Sequence, residues 1–173
     1  MQKAIVLFSV LVWWCSTSFT GLGNQVHWLS VDELQAIYDK EPRPIIIDVY
    51  TSWCGWCKVM DAQTYRNDSV ADYINQHYYA VKLDAETKAT IKWRGREFIY
   101  NTKYKVNDFS LFITNGQMSY PTTVLMAGID LAVSPLSGYF KPGELEAPLK
   151  FIGDGFYKKE SYPDFVKTFS VTW

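Results

Sequence analysis

The stretch Ile45-Ile46-Ile47-Asp48-Val49-Tyr50-Thr51-Ser52-Trp53-Cys54-Gly55-Trp56-Cys57-Lys58 decides the fold. Its first six residues are β-branched and nearly continuously apolar, the pattern of a central strand covered on both faces, with one carboxylate, Asp48, set among them. A helix is expected from about Cys54 to Tyr65. Cysteines spaced three apart at a helix start lie on one face and can close a disulfide. When they are reduced, the free backbone N–H groups and the helix dipole favour the thiolate of Cys54. Cys54 is then the nucleophile, and Cys57, one turn deeper, the resolving thiol.

The chain supports this reading by exclusion. It has 173 residues, with 17 Lys and Arg against 18 Asp and Glu, so the formal charge of -1 offers nothing to a nucleic-acid partner. Apolar residues at 48% and charged residues at 20% describe one folded domain, and aromatic residues at 17% place some rings on a recognition surface. Lys3, the apolar run Ala4 to Trp14 and the small polar Ser16, Thr17 and Ser18 follow the order of a secretory signal. Residues 1–20 are therefore expected to be a signal peptide and 21–173 a single domain, periplasmic or secreted, with no stable membrane span after cleavage. An uncleaved anchor and a lipidated Cys15 are the alternatives. Trp13 and Trp14 stand where a lipidation box wants small residues.

With Cys15 in the leader, Cys54 and Cys57 are left to pair in an oxidising compartment. A disulfide closing so short a loop removes little entropy from the unfolded chain, so stability is a poor reason for it. Two cysteines are too few for a structural zinc site, and His27 and His77 lie far from them in sequence, so no metal and no cofactor are expected. Nothing downstream of His77 supplies the imidazole base of a cysteine protease. Redox chemistry is what remains.

Outside that stretch, the elements alternate. Ser30 with Glu33 forms a capping-box pattern opening a helix through Tyr38, which Pro42 and Pro44 end. After the Cys54 helix come a helix from Ser69 to His77 and a strand from Tyr79 to Asp84, a βαβ unit with a parallel pair. Ile91 and Trp93 with Phe98 and Tyr100 read as a hairpin around Arg94-Gly95. A helix near Asp108 to Thr114, strands from Tyr120 to Ala127 and Leu131 to Tyr139, a helix from Glu144 to Phe151 and a further helix from Tyr162 to Phe169 follow.

Trp53-Cys54-Gly55-Trp56-Cys57-Lys58 after an apolar strand resembles the active site of the thioredoxin family, whose usual form is W-C-G-P-C-K. Asp48, six residues before Cys54, resembles the family's buried Asp; Lys82 in Ala80-Val81-Lys82-Leu83-Asp84 its strand Lys; and Tyr120-Pro121-Thr122 its cis-proline loop. The resemblance covers about residues 30 to 150. It implies an α/β thioredoxin fold, a central mixed β-sheet flanked by helices, with an insertion before the cis-proline strand. It implies a thiol–disulfide oxidoreductase with Cys54, Cys57, Asp48 and Lys82 as catalytic residues. Trp53, Gly55, Trp56, Tyr120, Pro121 and Thr122 are the expected substrate-binding residues.

Each match also has a plainer reading. Asp48 is either a buried carboxylate of raised pKa that passes a proton to or from Cys57, or a strand-end Asp held by turn amides. Lys82 either pairs with Asp48 or is solvated. Pro121 is either cis, offering the Tyr120 backbone to an extended client, or a trans edge proline. Trp53 and Trp56 either form an apolar collar around Cys54 or are core rings. Trp56 stands where the family has Pro, Tyr120 where Ile is common, and the 86–115 segment is longer than the family's connection. Its Lys88, Lys92, Arg94, Arg96, Lys103 and Lys105 are either a partner-binding face or a solvated surface.

The expectation is an oxidoreductase exchanging disulfides with exported proteins, acting as a reductant that draws on a membrane or soluble thiol electron donor. An oxidant or isomerase is the nearest rival. A thioredoxin-fold binding module with a permanently closed disulfide is the other.

Overall fold

The computed structural model describes residues 25–173, so the signal-peptide expectation for residues 1–20 and the reading of Cys15 fall outside the described residues. The frame is a five-stranded sheet in the order β1 (Trp28–Leu29), β3 (Tyr79–Asp84), β2 (Ile45–Tyr50), β8 (Thr122–Met126) and β9 (Val133–Ser137). β2 is central. It runs parallel to β3 and antiparallel to β8, and β9 closes the edge antiparallel to β8. The β2–β3 parallel pair is joined through α2 (Gly55–Gln63) and α3 (Asp68–His77), the crossover that its sequence pattern implied.

Strand periodicity divides the core into two layers. Ile45, Ile47 and Val49 point to one face of the sheet, where α1 (Val31–Tyr38) and α4 (Asp108–Ile113) contribute Leu34, Phe109 and Ile113. Ile46 points to the other, among Met60 of α2, Ile74 of α3 and Leu145 and Leu149 of α5 (Pro142–Gly153). The four apolar side chains Ile45, Ile46, Ile47 and Val49 are fully buried, as expected of a strand with helices on both sides. Asp48 has the parity of Ile46 and so faces the α2 side.

Local signals set most boundaries. Ser30 and Glu33 form the reciprocal capping box at α1. α5 starts at Pro142, two residues before the expected start, because proline is pre-organised for the first turn of a helix. β8 begins at Thr122 rather than Tyr120, since the Tyr120–Pro121 peptide is cis and Pro121 has no N–H for the ladder.

The 86–115 insertion departs from the single hairpin read from its sequence. Phe98 ends β5 (Arg96–Phe98), which pairs with β4 (Ile91–Trp93), whereas Tyr100 opens a separate hairpin of β6 (Tyr100–Asn101) with β7 (Val106–Asn107). The first hairpin turns on Arg94 and Gly95, both at positive φ (49° and 80°), the geometry of a two-residue turn that matches strand twist. Arg94 is not free for a partner: its guanidinium bonds Asp39 and Asp130, each at 3.1 Å, and pins the hairpin to α1 and to the loop after β8. Lys92 pairs with Glu97, and Arg96 stacks over Phe98 and Phe112. The short β1 and a 3-10 turn at Phe156–Lys158, before α6 (Tyr162–Thr168), had no sequence signal strong enough to place them. Among the described residues no helix is long and apolar enough to cross a membrane.

Candidate active site

Cys54 is the N-cap of α2, in extended backbone conformation, and its Sγ accepts a hydrogen bond from the Cys57 N–H at 3.0 Å. The Cys54 N–H in turn donates to the Thr51 carbonyl at 3.2 Å, which turns the chain from β2 into the helix. The two cysteines form a disulfide with Cα atoms 5.4 Å apart. Its first sulfur thus occupies the place where an α-helix leaves N–H donors unpaired and where a negative charge is stabilised. Both cysteines are only 4% exposed.

Aromatic rings flank the cysteines in the chain. Trp53 and Trp56 are 66% and 61% exposed, which removes the core-ring reading of both. Trp53 packs edge-to-face on Tyr120, 6.1 Å between centroids, and its indole N–H donates to Glu86 at 3.0 Å. Trp56 lies 5.5 Å from Tyr139. Gly55, between the tryptophans, opens onto space: a Cβ there would meet no atom within 4 Å. Pro121 follows a cis bond and Thr122 anchors the loop by donating to the Ser119 carbonyl at 2.6 Å. Of the positions expected to bind substrate, Trp53 and Tyr120 are in ring contact and Thr122 is fully buried, and Glu86 and Tyr139 are neighbours of the tryptophans that no sequence pattern marked.

On β2, the strand that leads into the Cys54 turn, Asp48 is buried and its carboxylate lies 3.1 Å from the Lys82 ammonium. The register does this directly, since Asp48 and Lys82 are Cα partners across the parallel pair and Thr123 is the partner on β8. Burial pushes the Asp48 carboxyl up and Lys82 offsets part of that, leaving it at about 6 instead of 3.8. Lys82 has a second acid partner, Asp61 of α2. Burial acts to lower the Lys82 pKa, but Asp48 and Asp61 together leave it raised. The ammonium also sits over the rings of Trp28 and Tyr50, 5.1 and 5.3 Å from their centroids. Tyr65 is buried nearby and shares a hydrogen bond with Thr123. The strand-end reading of Asp48 and the solvated reading of Lys82 are therefore replaced by one buried ion pair. Asp61 was missed in the sequence, although its spacing of four from Cys57 sets the two on one helix face.

A β2–α2 unit with a disulfide at the helix N-terminus, an acid–ammonium pair on the adjoining strands and a cis-proline loop before β8 define a thioredoxin-like protein with a C-x-x-C centre. The chain belongs to the Thioredox_DsbH family, described as a protein of unknown function (DUF255), whose model matches residues 19–142. Uncharacterized protein B0495.5 of Caenorhabditis elegans is 26% identical over 111 residues, which make up 63% of this chain and 13% of that protein. Spermatogenesis-associated protein 20 of Homo sapiens is 29% identical over 52 residues, 30% of this chain and 7% of that one. The chain thus spans a small part of the length of these relatives.

Among solved structures, a putative disulphide-isomerase from Bacteroides thetaiotaomicron is 24% identical with a TM-score of 0.55, over 82% of this chain and all of that one. A thioredoxin-fold protein from Helicobacter pylori is 21% identical with a TM-score of 0.56, over 72% and 78%. A DsbH oxidoreductase is 16% identical with a TM-score of 0.53, over 75% and 85%. These likenesses establish the fold.

Proposed function

We propose that this protein is an exported thiol–disulfide oxidoreductase that reduces disulfides of client proteins. The observation that carries the reading is the position of Cys54 at the N-cap of α2, with its sulfur accepting the Cys57 N–H, where a thiolate is favoured. In the reduced protein the Cys54 thiolate attacks a client disulfide, forming a mixed disulfide and releasing one client thiolate, which takes a proton from water. Cys57 then gives its proton to the Asp48 carboxylate and attacks the Cys54 sulfur. The Cys54–Cys57 bond forms, the bond to the client breaks, and the second client sulfur leaves as a thiolate that water protonates. Two electrons pass from the dithiol to the client, and a membrane or soluble thiol donor returns them. With a pKa of about 6, Asp48 is mostly ionised at pH 7 and ready to accept that proton.

Lys82 holds the Asp48 charge. Trp53, Gly55 and Trp56 offer contacts to the client beside Cys54, and the Tyr120-Pro121-Thr122 backbone receives the client chain in extended form. Residues 1–20 act as the secretion signal and 21–173 form one domain, which works in a periplasmic or secreted setting.

The test is the reduction potential, measured by equilibration with glutathione, together with insulin reduction and a Cys57→Ser trap. A potential near that of thioredoxin, about -270 mV, with client adducts on the Cys57→Ser protein, is the expected result. A value near about -120 mV reassigns the protein as an oxidant. The binding-module reading draws on the 4% exposure of both cysteines. A couple that resists reduction, with no trapped adducts, would establish it in place of catalysis.

A further inference from the structure

Lys82 is shared by two carboxylates, Asp48 from β2 and Asp61 from α2. The three side chains lead outward, with side-chain exposures of 3% for Asp48, 24% for Lys82 and 39% for Asp61. They end at an open cavity of about 180 Å³ lined by Trp28, Asp61, Tyr65, Arg66 and Lys82. Asp61 lies one turn beyond Cys57 on α2. We propose that Asp61 is a positioning residue which, by dividing the Lys82 ammonium with Asp48, sets the proton affinity of Asp48 and places the exit of its proton in this cavity.

The argument is electrostatic. An ammonium that served Asp48 alone would hold the buried carboxylate ionised and make it a weak base toward Cys57. Asp61 draws part of that charge away and adds a negative charge of its own, and both effects make Asp48 bind a proton more tightly. Other charged or titratable groups border the same site. Tyr50 lies on the same strand as Asp48, with Asp84 beside it. Tyr65 follows α2, and Arg66 stands at the cavity wall. Of these, Asp61 is the one that competes for the cation Asp48 uses. The cavity brings water to the end of the chain of groups, so a proton taken from Cys57 by Asp48 has an exit on the side where Asp61 stands.

This inference rests on the proposed exchange reaction, so its test uses two readouts. The first is titration of the Asp48 carboxyl by 13C NMR in the oxidised full-length protein, which needs no activity. The second is the pH profile of insulin reduction. In Asp61→Asn, which keeps the size and an acceptor for Lys82, the Asp48 inflection is expected to fall by about 0.5 to 1 pH unit, a roughly 3- to 10-fold loss of proton affinity. The rate profile should move down the pH scale with it, and Asp61→Glu should restore both. An Asp48 inflection that stays in place or rises in Asp61→Asn overturns the proposal, and Asp61→Ser serves the same comparison should the Asn protein fail to fold. If the inflection falls while neither protein reduces insulin, the coupling stands and the proposed activity falls.

Discussion

Replacing Asp48 with Asn should make the protein more stable in neutral and alkaline solution. Burial raises the folded-state pKa of Asp48 from 3.8 to about 6 against the pull of Lys82. A carboxyl with a raised folded pKa stabilises the fold fully below its unfolded pKa, and this stabilisation is lost as pH rises through the folded value. Above about pH 6 the native state therefore carries a constant cost, roughly 3 kcal/mol for a shift of this size, for keeping the carboxylate ionised in the core. Asn has nearly the same shape and no charge. Its neutral amide does not strand Lys82, which keeps Asp61 as a partner. Urea unfolding of the oxidised wild-type and Asp48→Asn proteins between pH 4 and pH 8 measures the difference. The variant should be ahead by about 1 to 3 kcal/mol at pH 8, with the advantage shrinking toward zero near pH 4. A variant no more stable than wild type at pH 8, or one whose advantage does not change with pH, would refute the claim that a costly buried charge sits on β2. The same variant should also slow the release step proposed for Cys57, measured as the decay of the mixed disulfide.

The aromatic border of the disulfide makes a second expectation. Trp53→Ala and Trp56→Ala should each speed reduction of the Cys54–Cys57 bond by a small thiol such as dithiothreitol, by roughly 3-fold or more, while slowing insulin reduction, because the two exposed rings flank buried cysteines in the chain and present apolar area to solvent. Equal changes with both substrates would mean that the rings do not discriminate. A third expectation concerns Glu146, which is fully buried in α5 and accepts hydrogen bonds from Lys150 and from the backbone N–H groups of Thr172 and Trp173. Burial acts to raise its pKa, but these donors outweigh it and hold it below 4.5. Its contribution to stability is therefore present above the unfolded value and lost as pH falls through the folded one. Glu146→Gln should cost roughly 1 to 3 kcal/mol in thermal or urea unfolding at pH 7 and release the Trp173 ring from Tyr73, read as a change in tryptophan fluorescence. Unchanged stability would show that the tail contributes nothing through this carboxylate.

Chain periodicity and a few special residue types carried most of the architecture. The apolar run at β2, the capping box at Ser30 and the cysteine spacing each express a local preference of the backbone or of neighbouring side chains, and these survive folding unchanged. The burial of Asp48 and the cis bond at Pro121 were legible as one of two readings each, since a carboxylate in an apolar strand and a proline at a strand start have few acceptable environments. Short pieces such as β1, and the split of the 86–115 segment into two hairpins, have no such local imprint, because strands of two or three residues exist only through the partners they pair with. The pairing of one ammonium with acids from β2 and α2, the contacts of Trp53 with Tyr120 and of Trp56 with Tyr139, and the engagement of Arg94 by Asp39 and Asp130 all join residues distant in the chain. Their geometry depends on sheet register and helix packing, which bring charges and rings within reach of one another only once the whole domain has closed.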